Sequence, residues 1–68
     1  MNIETVIANI NNTIAGKEQL KNKMHALSRS STDPVAQAGL DAIVECVNLN
    51  LQELNAIKSD LERCVNEE

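Results

Sequence analysis

The sequence contains no Phe, Tyr or Trp, so aliphatic side chains have to form its core. Aromatic side chains bury the largest areas, and without them a 68-residue chain has little to offset the conformational entropy lost on folding. Small domains usually gain the missing stability from a cross-link, a metal or a second copy. We therefore expect a single domain over residues 1–68 that forms a homo-oligomer.

Cysteine and histidine are too sparse to provide a cross-link or a metal site. Cys46 and Cys64 lie 18 positions apart, about 27 Å on one helix, which is too far for a disulfide within the chain. We expect reduced thiols, with a disulfide between two chains as the alternative. His25 is the only histidine and has no cysteine near it in the sequence, so we expect neither a metal nor a cofactor.

Long apolar runs and an excess of basic residues are also missing. No stretch reaches the roughly 18 to 20 apolar residues of a membrane span, and no basic segment followed by an apolar block opens the chain. We expect a cytoplasmic protein with no membrane partner. Ten acidic against six basic residues give a net charge of -4, which argues against general nucleic-acid binding.

The strongest pattern that is present lies between residues 40 and 65. Leu40, Val47, Leu54 and Leu61 recur every seven residues, and Val44, Leu51 and Val65 follow three of them by four. This spacing predicts one apolar row on a helix that packs as in a coiled coil. A second row of Ala36, Ile43, Ile57 and Cys64 lies beside it and indicates more than one helical partner.

A turn divides this helix from an earlier one. Asp33 is a good capping residue and Pro34 suits the first helical position, which predicts helix 1 over about 3–28, a turn over 29–33 and helix 2 over about 34–65. After the capping residue Asn2, helix 1 carries an apolar row of Ile3, Val6, Ile7, Ile10, Ile14, Leu20, Met24 and Leu27. The short connection favours an antiparallel pair.

Folding the chain about residue 31 sets Met24 level with Ala38 and leaves Leu61, Cys64 and Val65 without a partner in their own chain. The sequence therefore predicts an all-α fold, an antiparallel two-helix hairpin that dimerises into a four-helix bundle through helix 2. The predicted interface consists of Leu40, Ile43, Val44, Val47, Leu51, Leu54, Ile57, Leu61, Cys64 and Val65. Asn50 and Lys58 lie on or beside this interface, either to fix its register or at its rim.

Basic residues concentrate toward the end of helix 1, next to a hydroxyl-rich turn. The amino end of helix 2 adds free amides and a positive dipole end there, which together favour a phosphate or nucleotide. The candidate ligand residues are Lys21, Lys23, His25, Arg29, Ser31 and Thr32. The alternative is that these cations only complement the dipole of helix 1 and keep the hairpin soluble.

Nothing in the sequence indicates catalysis, because a nucleophilic triad needs a concave, water-excluding scaffold that a hairpin lacks. We expect a non-enzymatic protein–protein interaction or regulatory module that self-associates. The alternatives are a binder of a small anion at the basic end and a heteromeric chaperone that covers a partner's helix.

The chain resembles the needle subunits and small needle cochaperones of type III secretion systems in its turn and in the apolar row that follows. The turn is Asp33-Pro34, and the row is Leu40, Val44, Val47, Leu51, Leu54 and Leu61. The resemblance covers residues 32–65 and consists of a capped turn and heptads. It implies a helical protein that binds partners within a secretion apparatus. The chain departs from needle subunits in having no aromatic residue.

Overall fold

A computed structural model describes residues 2–67, so the first and last positions of the predicted domain lie outside the described residues. Two helices, α1 (Ile3–Ser30) and α2 (Pro34–Glu67), are joined by residues 31–33 and pack against each other. The hairpin is a rod of 53 × 15 × 14 Å. The predicted all-helical, two-helix hairpin is confirmed over these residues.

Side-chain and backbone caps define both ends of α1. Asn2 Oδ1 accepts a hydrogen bond from the Thr5 amide at 2.8 Å, as expected of a capping residue. At the other end, Ser30 Oγ donates to the Leu27 carbonyl at 3.1 Å and the Ser31 amide donates to the Ser28 carbonyl at 3.3 Å. These bonds satisfy carbonyls that a helix end leaves unpaired, so α1 continues two residues beyond its predicted end.

Asp33 starts α2 in the way the sequence predicts. Its Oδ1 accepts from the Val35 amide at 3.0 Å, and its carbonyl accepts from the Gln37 amide at 3.0 Å. Pro34 occupies the first helical position, where no amide donor is needed. The helix then runs to Glu67, two residues past the predicted end.

Each helix buries one row of side chains against the other, and we call these rows the seams. The seam of α2 consists of Leu40, Val44, Val47, Leu51, Leu54, Lys58, Leu61 and Val65, all buried or half-buried. The seam of α1 consists of Ile3, Ile7, Ile10, Ile14, Lys17, Lys21, Met24 and Ser28, likewise buried or half-buried. Both follow a strict 3-4 spacing, which is the packing of a coiled coil. The predicted row of α2 is therefore confirmed as a packing row.

The core lies at the middle of the rod. Ile14, Val47 and Leu51 form the buried cluster, and Ile10 and Leu54 pack against it. These side chains come from both helices, so their burial depends on the hairpin and not on either helix alone.

Leu20 and Leu27 belong to the predicted apolar row of helix 1 but lie outside the buried seam of α1. They are 41% and 46% exposed. From Ile14 the 3-4 spacing continues to Lys17 and Lys21, and a shift to the Leu20 row would interrupt the heptad repeat. The aliphatic stems of lysine can cover the neighbouring helix while the ammonium reaches water.

One hydrogen bond between the helices and one from α2 to the turn mark the register of the hairpin. Ser28 Oγ donates to Asp41 Oδ1 at 2.8 Å, and Gln37 Nε2 donates to the Ser31 carbonyl. Residues on the same level thus have numbers that add to 68 or 69, whereas Met24 beside Ala38 would require 62. Ser31 is extended, at φ -82 and ψ 140. The chain therefore passes the end of α1 along the long axis of the hairpin before α2 begins.

The observed register gives the carboxyl-terminal end of α2 neighbours on α1 that the sequence did not predict. It sets Leu61 and Val65 level with Ile7 and Ile3, and both are half-buried. The prediction that these two residues lack a partner in their own chain is therefore wrong. Cys64 is exposed.

Candidate interaction surface

A second row runs beside each seam at intervals of seven residues, and each of its members except Ala36 immediately precedes a seam residue. In α2 this row is Ala36, Ile43, Asn50, Ile57 and Cys64. In α1 it is Val6, Thr13, Leu20 and Leu27. We call the two rows together the flanking face.

The antiparallel pairing places both rows on the same side of the hairpin. Two antiparallel helices are related by an approximate two-fold axis perpendicular to their common plane. Rotation about this axis exchanges the two helices, and each side of the hairpin still faces the same way. Equivalent heptad positions of α1 and α2 therefore share a face. The opposite side follows the same rule, because His25 and Asn48, which each follow a seam residue, line one groove there.

The flanking face is apolar and open to solvent. Ile43 and Ile57 are 44% and 49% exposed, similar to Leu20 and Leu27 across from them, and Val6 is half-buried. Single exposed apolar side chains are normal on protein surfaces, but several of them along one side are typical of an interaction site. Leu49 is also exposed but lies on the side of α2 turned away from α1.

Seven of the ten residues in the predicted interface belong to the seam of α2 and are buried or half-buried within the hairpin. Only Ile43, Ile57 and Cys64 are exposed. Of the predicted interface, the part that the hairpin leaves exposed is therefore in the row beside the seam. The 3-4 spacing of a row does not tell whether it packs against its own chain or against another, so the seam could not be separated from an interface by sequence alone.

Leu20 and Leu27 are surface residues that the sequence alone did not separate from the row containing Ile14 and Met24. The signal that could have separated them is their spacing. Val6, Thr13, Leu20 and Leu27 are each seven residues apart and form a row of their own, offset by one position from Ile7 and Ile14.

Polar residues at the middle of the flanking face already bond to their own helix. Thr13 Oγ1 donates to the Asn9 carbonyl at 3.0 Å, and Asn50 Nδ2 donates to the Cys46 carbonyl at 2.8 Å. These bonds lower the free-energy cost of burying Thr13 and Asn50 in an interface, because the bonded donors keep their partners when water is removed.

The structure brings together two of the six candidate ligand residues. Lys21 and His25 line the groove on the opposite side, a space of about 260 Å³ that Asn22, Val44 and Asn48 complete. Lys23, Arg29, Ser31 and Thr32 are not among its lining residues. At the amino end of α2, the carboxylate of Asp33 already accepts the Val35 amide.

Over residues 2–67, no three His, Cys, Asp or Glu side chains are placed to share a metal ion. Neither α1 nor α2, as far as they are described, has an apolar stretch long enough to cross a membrane.

Comparisons with protein families, with curated proteins and with solved structures found no match to this chain. The resemblance to type III secretion hairpins therefore stays a prediction that rests on residues 32–65.

Proposed function

We propose that this chain is a non-enzymatic interaction module that self-associates through the flanking face to form a four-helix dimer. The observation that carries the proposal is the exposed apolar strip formed by both helices. Covering it with the same strip of a second copy removes apolar surface from both chains at once.

The exposed area of the chain supports this proposal. Its accessible surface is 4951 Å², whereas a compact monomer of 7.4 kDa is expected to expose about 4,200 Å². The excess of roughly 700 Å² is close to the roughly 800 Å² that each partner contributes to a standard interface. The radius of gyration of 15.6 Å likewise exceeds the roughly 11 Å of a compact domain of this length.

The hairpin also buries few apolar side chains for an independent domain. Its four buried apolar residues, Ile14, Val44, Val47 and Leu51, retain 6–9% exposure. Among the side chains that the structure describes, none is completely buried. A dimer would place further side chains over this core.

A charge placed on the flanking face tests the proposal. We expect sedimentation velocity to give a dimer for the parent chain and a monomer for Ile43→Glu, because the dimer would bury the new carboxylate. Leu49→Glu is the matched control on the outer side of α2 and is expected to remain dimeric. A parent chain that sediments as a monomer at high concentration contradicts the proposal.

The groove beside Lys21 and His25 supports a second candidate function, the binding of a small anion. This candidate predicts saturable heat when pyrophosphate is titrated into the protein, weaker at high salt. Lys21→Gln should abolish that heat, whereas Lys23→Gln, outside the groove, should retain it. Titrations without saturable heat eliminate this candidate and leave the interaction module unaffected.

A further inference from the structure

We propose that the outer side of α2 is a second interaction surface, which binds a helix of another protein with an apolar row and with lysine or arginine beside that row. This inference goes beyond the proposed self-association, because it concerns a different side of the hairpin and a different partner. It requires the chain to be neither a monomer nor a dimer.

A further apolar row runs along the amino-terminal half of α2, on the side turned away from α1. We call it the outer row, and it consists of Val35, Gly39, Ala42, Cys46 and Leu49. Its members follow the same 3-4 spacing as the seam. Each lies five residues before a seam residue, which is about 140° around the helix at 3.6 residues per turn. The outer row therefore has the pattern of a second helix-packing row.

The hairpin leaves the outer row open to solvent. Val35 and Leu49 are 79% and 61% exposed, and a Cβ added at Gly39 meets nothing within 4 Å. Together with the seam and the flanking face, the outer row makes this half of α2 apolar around most of its circumference, which is typical of a helix with neighbours on several sides. Its length of about 21 Å spans four turns, enough for the anchors spaced by three, four and seven residues through which helices recognise each other.

The charges around the outer row favour a basic partner. Glu45 lies beside the row, and Glu53 follows Leu49 by four residues at its end. Neither carboxylate pairs with a cation among residues 2–67. Residues 34–57 contain no Lys, Arg or His. A helix with lysine or arginine beside its apolar row would place cations opposite these two acids.

The same charges argue against a second copy of this chain as the partner. Two outer rows packed on each other, in either direction, would bring no basic residue of the row or its flanks to Glu45. The outer side of α1 offers no apolar row, since its equivalent positions include Asn9, Asn12, Gln19 and Lys23. The partner that fits is therefore a helix of different sequence.

Two synthetic helical peptides test this inference. Both carry leucine at 3-4 spacing over four turns, but one has lysine beside the leucines and the other has glutamate there. The anisotropy of each fluorescently labelled peptide is measured as the protein is added. We expect saturable binding of the lysine peptide that weakens as salt rises, and no binding of the glutamate peptide.

Variants of the protein locate the binding surface. Leu49→Arg should weaken binding of the lysine peptide roughly tenfold, because it removes an apolar contact and adds a like charge. Ile57→Arg is the matched control on the flanking face and should retain binding. Glu45→Gln should weaken binding about two- to fivefold, as the loss of one exposed ion pair does. Glu62→Gln removes the same charge away from the outer row and should leave binding unchanged.

The inference is overturned if the lysine peptide does not bind, if the glutamate peptide binds equally well, or if Leu49→Arg weakens binding no more than Ile57→Arg does. Parent assemblies larger than a dimer that Leu49→Arg reduces to a dimer would identify a second copy as the partner and overturn it as well. Self-association fails separately, because it requires Ile57→Arg, and not Leu49→Arg, to give a monomer in sedimentation velocity. Circular dichroism verifies that the variants remain helical.

Discussion

At the scale of single residues, Ser28 shows how the hairpin accepts a polar group in its seam. Its side chain is 6% exposed and donates to Asp41, which is itself exposed. We expect Ser28→Ala to lower the free energy of unfolding by about 1 kcal/mol, because the bond is lost while the Asp41 carboxylate stays hydrated. Urea denaturation in a double-mutant cycle with Asp41→Ala measures the coupling. Strictly additive effects would show that the bond contributes nothing.

Leu51 tests the core at the same scale. It is buried in the central cluster, whereas Leu49, two residues away on α2, is 61% exposed. We expect Leu51→Ala to cost about 2 to 5 kcal/mol, because it removes a buried side chain and leaves a cavity. Leu49→Ala is the control and should cost less than 1 kcal/mol, as an exposed change away from the core does. Equal losses in urea denaturation would place the core elsewhere.

At the scale of a helix, α1 continues through Gly16 without positive φ, and a Cβ added there meets nothing within 4 Å. Alanine has the better helix propensity, so Gly16→Ala should raise the free energy of unfolding by about 0.5 to 1 kcal/mol. Gly39→Ala makes the same change on α2, also in open space, and should act similarly. A loss of stability in thermal denaturation for Gly16→Ala alone would indicate that another chain approaches α1 at that position.

At the scale of the whole molecule, folding and association are expected to be coupled. The hairpin is thin, and the proposed dimer would stabilise it by mass action, so the melting temperature should rise with protein concentration. Circular dichroism melts over a wide range of concentrations measure this, with light scattering at each concentration to give the particle mass. Melting that is independent of concentration, with a particle of 7.4 kDa, would show that the hairpin is stable alone.

Local chemistry explains why much of the fold could be predicted from the sequence. The turn depends on Asp33, which accepts from amides two and four residues away, and on Pro34, which suits the first helical position. The packing row of α2 depends on a 3-4 spacing that holds over residues 40–65 whatever the partner is. The candidate interface could be predicted only in part, since Ile43 and Ile57 stood out beside the seam but Leu20 and Leu27 were placed in one row with Ile14 and Met24.

The two helices, the capped turn and the apolar row of α2 can all be predicted without the structure, because each follows from residues close together in the chain. Tertiary packing selects which row of α1 is buried, since Lys17 competes with Leu20 and the outcome depends on the position of α2. It also decided the register, which the bond between Ser28 and Asp41 marks across 13 residues. The flanking face arises from both decisions, because rows on separate helices share a side only once the helices are paired.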